Sequence, residues 1–337
     1  MSELIDFSRC PDAHRIYSGS DSKDSILYDG SPYMIKFQEK AEKEIDLQTS
    51  YVNNVFSEYI GSHIVASLGI PTQETLLGIY NSNGKEKIVV ACKDFCDENH
   101  ELHPFSWYML NMYDRSEIRR IPTYRQLYDV IENNPKLAPV RRQAIERYWD
   151  TFVADALIGN FDRHKENFGY LVDKKTGKIE LAPVYDCGSS LYPNLSIDGM
   201  KKVLDAPELI EERIYVFPTA ALDMSNDVKV EKKAKYFEML SSGIDANCTA
   251  ALKRIYPKIN MDKIFAIIDS VSCVPDEKKH FYKTMLAHRK TLILDKAYQI
   301  VSEQDKNKEI MRKAEESLFG VKSKNLPVTE KAHGMEI

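Results

Sequence analysis

Apolar positions near the N-terminus come in short alternating runs, and later in the chain they recur at helical spacing. SILYDGSPYMIKF carries two such runs around Asp29-Gly30, a pair suited to a tight turn, so a β-hairpin is predicted. In NNVFSEYIGSHIVASLGIP the apolar residues Val55, Tyr59, Ile60, Ile64 and Leu68 return every turn of a helix, and Gly69 and Pro71 end it. ETLLGIY and KIVVACKDF read as strands joined by NSNG. Residues 97–136 mix aromatics, charges and prolines without a period and read as irregular chain with short helices. VRRQAIERYWDTFVADALIG is helical, with Ile145, Trp149, Phe152 and Ala156 along one side. FGYLVD, the turn KKTG and KIELAPVYD form a second hairpin, and from about residue 200 the pattern is mostly helical.

The predicted fold class is α+β with two lobes. A small β-rich N-terminal lobe spans 1–95, a larger and mostly helical lobe spans 96–305, and 306–337 is a charged, loosely held tail. A cleft between two such lobes is a natural ligand site.

Composition narrows this little. The net charge of −5 argues against a surface that binds nucleic acid generally. No run of about 18 apolar residues suggests a membrane span. MSELIDFSRCPD lacks the basic and apolar regions of a secretory signal. The six cysteines form no framework and suit a reducing compartment, so a cytoplasmic protein is expected, with non-classical export or delivery to a host cell left open. Cys92, Cys96, His100 and His103 have a zinc-like spacing. If the strand carrying Cys92 ran on through Phe95, however, the two thiols would stand about 13 Å apart at ~3.3 Å per residue, too far for one tetrahedron.

The candidate chemistry is phosphoryl transfer, which needs donors for phosphate, a cation, metal ligands and a carboxylate to receive the acceptor proton. Ser18, Gly19, Ser20, Asp21, Ser22 and Lys23 form a small-residue loop whose N–H groups and hydroxyls could bind phosphate. Lys36 ends YMIK on a strand, the form of the lysine that pairs with α/β-phosphates, and Glu58 on the following helix can hold it by an ion pair. Asp162 and Asn167 reproduce the D-x-x-x-x-N spacing of a kinase catalytic loop, with Asp162 as base and Asn167 as a Mg²⁺ ligand. Asp186-Cys187-Gly188 has the D-x-G form, with Asp186 as the second metal ligand. Taken singly, each match has a bland explanation as a solvated turn or a surface charge. Their order and their placement on strand, helix, loop and hairpin end are harder to obtain by chance.

GNFDRHKENFGYL followed by LAPVYDCGSS resembles the catalytic segments of the HipA-like serine/threonine kinases, and NNVFSEYIGSHIVASLGIPTQETLLGIY with IVVACKDF resembles the shorter members of that family. The resemblance implies a two-lobed protein-kinase-like fold that uses ATP and Mg²⁺ to phosphorylate protein serine or threonine, with autophosphorylation on the phosphate loop. It implies Asp162 as catalytic base, His164 and Asn167 in the nucleotide- and metal-binding loop, and Tyr185 with Asp186 in the second metal segment. Lys36 would be the ATP lysine, and Lys93, Asp94 and Phe95 the segment that meets adenine through backbone groups. The expected partner is a protein substrate with a Ser or Thr acceptor, with no nucleic acid bound directly and no membrane span.

The chain departs from the longer toxin kinases of the family. It has about 100 fewer residues before the strand lysine, which bears on any antitoxin-like or regulatory partner. Its phosphate loop is rich in serine and aspartate, and Asp21 and Asp24 would repel phosphate if turned inward. Two other readings stay open at this point: a phosphatidylinositol-kinase-like lipid kinase, and a non-catalytic nucleotide-binding regulator.

Overall fold

The computed structural model describes residues 4–17, 23–38, 54–82, 84–225 and 230–324. The N-terminal part is a sheet of five strands in the order β1-β4-β5-β3-β2. They are β1 (Ile5–Asp6), β2 (Lys23–Tyr28), β3 (Ser31–Phe37), β4 (Thr75–Ser82) and β5 (Lys85–Lys93), and helix α1 (Val55–Ser67) lies between β3 and β4 in sequence. The β2–β3 turn is made by Asp29 and Gly30, both with positive φ (48° and 71°), as the hairpin prediction requires. β1 runs parallel to β4 and the remaining pairs are antiparallel.

The sheet buries both faces, and strand alternation sorts the side chains between them. Phe7, Ile26, Tyr33, Ile35, Phe37, Val89 and Ala91 form a small core on one face. Leu77, Val90 and Cys92 face the other way, into the main core, where they meet Val55, Ile60, Ile64 and Val65 of α1. α1 starts cleanly because the Asn54 side chain accepts from the N–H groups of Phe56 and Ser57.

The rest of the chain is helical around a second, three-stranded sheet of β6 (His100–Pro104), β7 (Gly169–Asp173) and β8 (Ile179–Leu181). Helices α2 (Phe105–Met109), α3 (Tyr124–Asn133) and α4 (Arg141–Ile158) precede β7. After β8 come α5 (Ile197–Leu204), α6 (Pro207–Glu211), α7 (Tyr236–Ser242), α8 (Ala246–Ile255), α9 (Met261–Ser270), α10 (Asp276–Arg289) and α11 (Lys296–Lys324).

Within 97–136, read as irregular chain with short helices, α2 and α3 are such helices, whereas β6 is a strand that was not expected. β6 carries polar residues at most positions and is defined by its pairing with β7, which no local pattern announces. α3 did carry a local signal: Thr123 and Gln126 form a capping box. The chain remains helical through Lys324, beyond the 306 boundary drawn for a charged tail. Its side chains over 305–316 are exposed, with Arg312 bridging Glu309 and Glu316. Among the described residues no helix is long and apolar enough to cross a membrane.

Candidate active site

Lys36 lies on β3 between Ile35 and Phe37, which point into the small core, so alternation turns it toward α1 beside its register partner Val90. It is buried. Its Nζ donates to Glu58 Oε2 at 2.8 Å and to Asp186 Oδ1 at 3.3 Å. Burial works against the charge on Lys36, but Asp186 and Glu58 outweigh it and hold the ammonium well above its usual pKa. Burial likewise opposes the charge of Asp186, and Lys36 and Arg163 overcome it, so this carboxyl stays below the usual range. Glu58 is fully buried in the first turn of α1, and its second oxygen accepts from the Cys187 N–H at 3.0 Å. One glutamate therefore fixes both the strand lysine and the D-x-G segment. Gly61, one turn along α1, makes room for this: a Cβ there would stand 3.0 Å from Cys187 Cβ.

The loop after α4 is built on a buried ion pair. Gly159 caps the helix with φ 69° and donates its N–H to the Asp155 carbonyl. Arg163 then folds back. Its Nε and Nη2 reach the two oxygens of Asp155, both at 3.1 Å, while Nη1 donates to the carbonyls of Asn167 (3.2 Å), Asp186 (3.1 Å) and Tyr185. One guanidinium thus staples the D-x-x-x-x-N loop to the segment bearing Asp186. From the other side, Phe105 N donates to the Phe168 carbonyl, and Ser106 Oγ donates to Glu166 Oε2 at 2.7 Å.

The Asp162 N–H donates to Asn160 Oδ1, and the carboxylate faces Arg120, whose Nη2 lies 2.9 and 3.2 Å from its two oxygens. Burial raises the Asp162 pKa to about 6, against the pull of Arg120 and with help from the nearby charge of Asp186. Burial and the Arg120 charge push His164 down to about 4, so it is neutral at pH 7. Its Nδ1 accepts from the Glu166 N–H, which assigns the proton to Nε2, 3.8 Å from Asp162 Oδ1. His164 thus braces the loop. Asn167 donates Nδ2 to the Asp162 carbonyl at 2.8 Å, leaving its amide oxygen as an acceptor.

Lys36, Glu58, Asp162, His164, Asn167 and Asp186 are thus brought together. Tyr185 joins them from the side: its hydroxyl donates to the Glu166 carbonyl, and its ring lies 5.6 Å from that of Phe95. The side chains of Lys93 and Asp94 are engaged elsewhere, with Glu74 and with Arg15. Their N–H groups are spent on the Glu74 and Pro32 carbonyls, so only Phe95 of this stretch meets a site residue. Ser18, Gly19, Ser20, Asp21 and Ser22 lie outside the described residues. Lys23, the first residue after them, opens β2 directly opposite Lys36.

Sequence reading missed Arg163, Asp155 and Arg120. The signal for the first two was present, because Asp155 is an ionisable residue inside the apolar run FVADALIG and its partner had to come from nearby. Arg120 carried none, since the contact spans 42 residues.

A curled sheet resting on a helical part, with a lysine–glutamate pair beside the cleft, is the fold of a protein-kinase-like phosphotransferase. The HipA-like C-terminal domain model matches residues 17–236, and the chain belongs to that family. It is 38% identical over 296 residues to the serine/threonine-protein kinase CtkA of Helicobacter pylori strain J99, covering 87% of each chain. The crystal structure of CtkA, a proinflammatory kinase, superposes with a TM-score of 0.80 at 37% identity, covering 89% of this chain and 98% of the other. HipA of Shewanella oneidensis MR-1, solved with HipB and operator DNA, shares the fold with a TM-score of 0.53 at 14% identity over 86% and 68% of the two chains. The enzyme is a protein serine/threonine kinase.

Proposed function

We propose that the protein transfers the γ-phosphoryl group of ATP, with Mg²⁺, to serine or threonine hydroxyls of protein acceptors, with Asp162 as general base. The observation that carries this reading is Lys36 Nζ joined at once to Glu58 at 2.8 Å and to Asp186 at 3.3 Å. Active kinases need that lysine pair and the D-x-G aspartate assembled together. The donor set fits magnesium: an ionised Asp186 and the free amide oxygen of Asn167 supply hard oxygens, and magnesium takes its remaining ligands from water and phosphate. When bound, the metal neutralises phosphate charge. Lys36 would hold the phosphates, and Phe95 and Tyr185 would flank the base.

In transfer, the acceptor oxygen bonds to the γ-phosphorus as the bond to the β-bridging oxygen breaks. The hydroxyl proton passes to the Asp162 carboxylate, and ADP leaves. Arg120 must yield at least one carboxylate oxygen for this. The carboxylate form is the working one, so kcat/KM should rise with pH through about 6 and level off above it. A profile flat from pH 5 to 8 would count against Asp162 as base.

Autophosphorylation would fall on the serine-rich stretch, at Ser18, Ser20, Ser22 or Ser25; of these Ser25 lies in β2, its hydroxyl donating to Asp12 at 2.6 Å and accepting from the Arg15 N–H. Purified protein with radiolabelled ATP tests the reading: label is expected on protein, only with a divalent cation, and not on lipid vesicles. Asp186→Asn and Asn167→Ala should each weaken the magnesium dependence of ATP binding, because each removes a charge or an oxygen ligand. ATP titrations with unchanged magnesium dependence in both variants would remove the metal assignment.

A further inference from the structure

Beyond the cleft, the segment that follows the D-x-G motif carries a charge with nothing to balance it. Arg213 lies in the π-helical turn Glu212–Val216 and is 5% exposed. Among the described residues its guanidinium makes no hydrogen bond and no ion pair; only its carbonyl is used, accepting from Tyr192 Oη at 2.9 Å and from Arg289 Nη1 at 3.2 Å. Arg289 is fully buried beside it, also without a carboxylate partner among the described residues, and its Nη2 meets no acceptor. An isolated buried cation is costly, and side chains of this kind are normally paired.

Arg213 lines a small cavity with Phe161, Tyr192, Asn194, Leu195 and Phe217, of about 10 Å³, room for one water-sized group. Two features connect this cavity to the segments that carry Asp162 and Asp186. Phe161 is the residue before Asp162, and its ring packs on that of Phe217 at 5.1 Å. The other wall, Tyr192 to Leu195, closely follows Asp186-Cys187-Gly188 in sequence. Leu191 and Tyr192 there adopt φ of 56° and 57°, a conformation that bulky residues rarely take.

We propose that this cavity is a specificity subsite: Arg213 receives an anionic side chain of the polypeptide acceptor, a few residues from the serine or threonine being phosphorylated. The cavity holds one water-sized group, so it takes a single oxygen of a carboxylate or phosphoryl group and leaves the rest of the chain outside. A hydrogen bond from the guanidinium to a charged oxygen is roughly twice as strong as a neutral one. A cation with no internal ion pair binds such a group without first breaking one. Arg120 is less suited to this role, since it is half exposed and occupied with Asp162.

This inference rests on the protein-kinase reading, and a positional library of serine peptides separates the two. Wild-type enzyme should favour Asp, Glu or phosphoserine over Asn, Gln or Ser at one flanking position by about tenfold, the effect of one charge-assisted hydrogen bond. Comparing Asp and Glu with phosphoserine tells the two sources of charge apart. In Arg213→Gln the ratio of acidic to neutral peptide kcat/KM should fall to near one. In Arg213→Glu the preference should turn toward Lys or Arg. Peptides phosphorylated in an Asp162-dependent way with no acidic preference at any position would overturn the subsite and leave the kinase reading standing. The subsite is equally overturned if the preference survives in Arg213→Gln, or if the enzyme labels itself but no peptide in the library. Should the Arg213 variants fail to fold, the wild-type library alone decides.

Discussion

Asp162→Asn is expected to lower phosphoryl transfer by about 10²–10⁴-fold, the usual loss when a positioned base is removed, with no loss of folding stability at pH 7. The two halves of this expectation have one cause. Burial lifts the Asp162 carboxyl to about 6, so at neutral pH the folded protein carries a carboxylate that the fold disfavours. Relative to an ordinary aspartate, this group contributes stability that is fully present below its unfolded value near 3.8 and is lost as pH rises through about 6. The amide removes that penalty and forfeits an ion pair with the half-exposed Arg120, which is worth little. Hence the variant should match or exceed the wild type in urea midpoint above pH 6, and any advantage should vanish below about pH 4. Steady-state transfer to a serine peptide and denaturation at the two pH values check it. Near-normal turnover would remove Asp162 from the chemistry, and a collapsed fold would make it a structural residue.

Arg163→Met should have the largest effect on stability of any substitution in the site, a loss of about 3–5 kcal/mol, the cost of leaving the partner of a buried pair uncompensated. Among the described residues, Asp155 would keep only the Asn160 amide, at 3.1 Å, on its carboxylate. The carbonyls of Asn167, Tyr185 and Asp186 would lose the donor that now ties them together. Activity should fall with stability, because the staple joins the two segments that carry the metal-binding candidates. The double variant Asp155→Leu, Arg163→Met should recover much of the stability, since apolar replacement of a whole buried pair is often neutral, but not the activity. A single variant with the wild-type urea midpoint would show that the ion pair is not structural.

The elements and the central residues were legible for different reasons. The hairpin around Asp29-Gly30, α1 and α4 follow from local patterns, and those patterns also put Lys36, Glu58 and Asp162 on their strand, helix and loop. Motif spacing then supplied Asn167 and Asp186. β6 was not legible, because its identity lies in a partner strand almost 70 residues away, at Gly169–Asp173, rather than in its own residues. The same limit hid Arg120 and Arg213, whose meaning depends on what they meet, or fail to meet, across long sequence separations. Lys93 and Asp94 were identified by position alone, and their side chains and N–H groups are held by the sheet and the N-terminal segment.

The close fit of α1 bears on how such an enzyme can be controlled. In kinases switched by a swinging helix, the glutamate leaves its lysine when the helix rotates outward. Here Val55, Ile60, Ile64 and Val65 are sealed in the same core as the helical part, and Gly61 packs on Cys187. Rotating α1 would expose several large apolar side chains at about 1.5–3 kcal/mol each. It would also strand Glu58 and Lys36 without their partners. A switch built on rotation of α1 is therefore disfavoured in this fold, and the contact left to change before transfer is the one between Arg120 and Asp162, which lies away from α1.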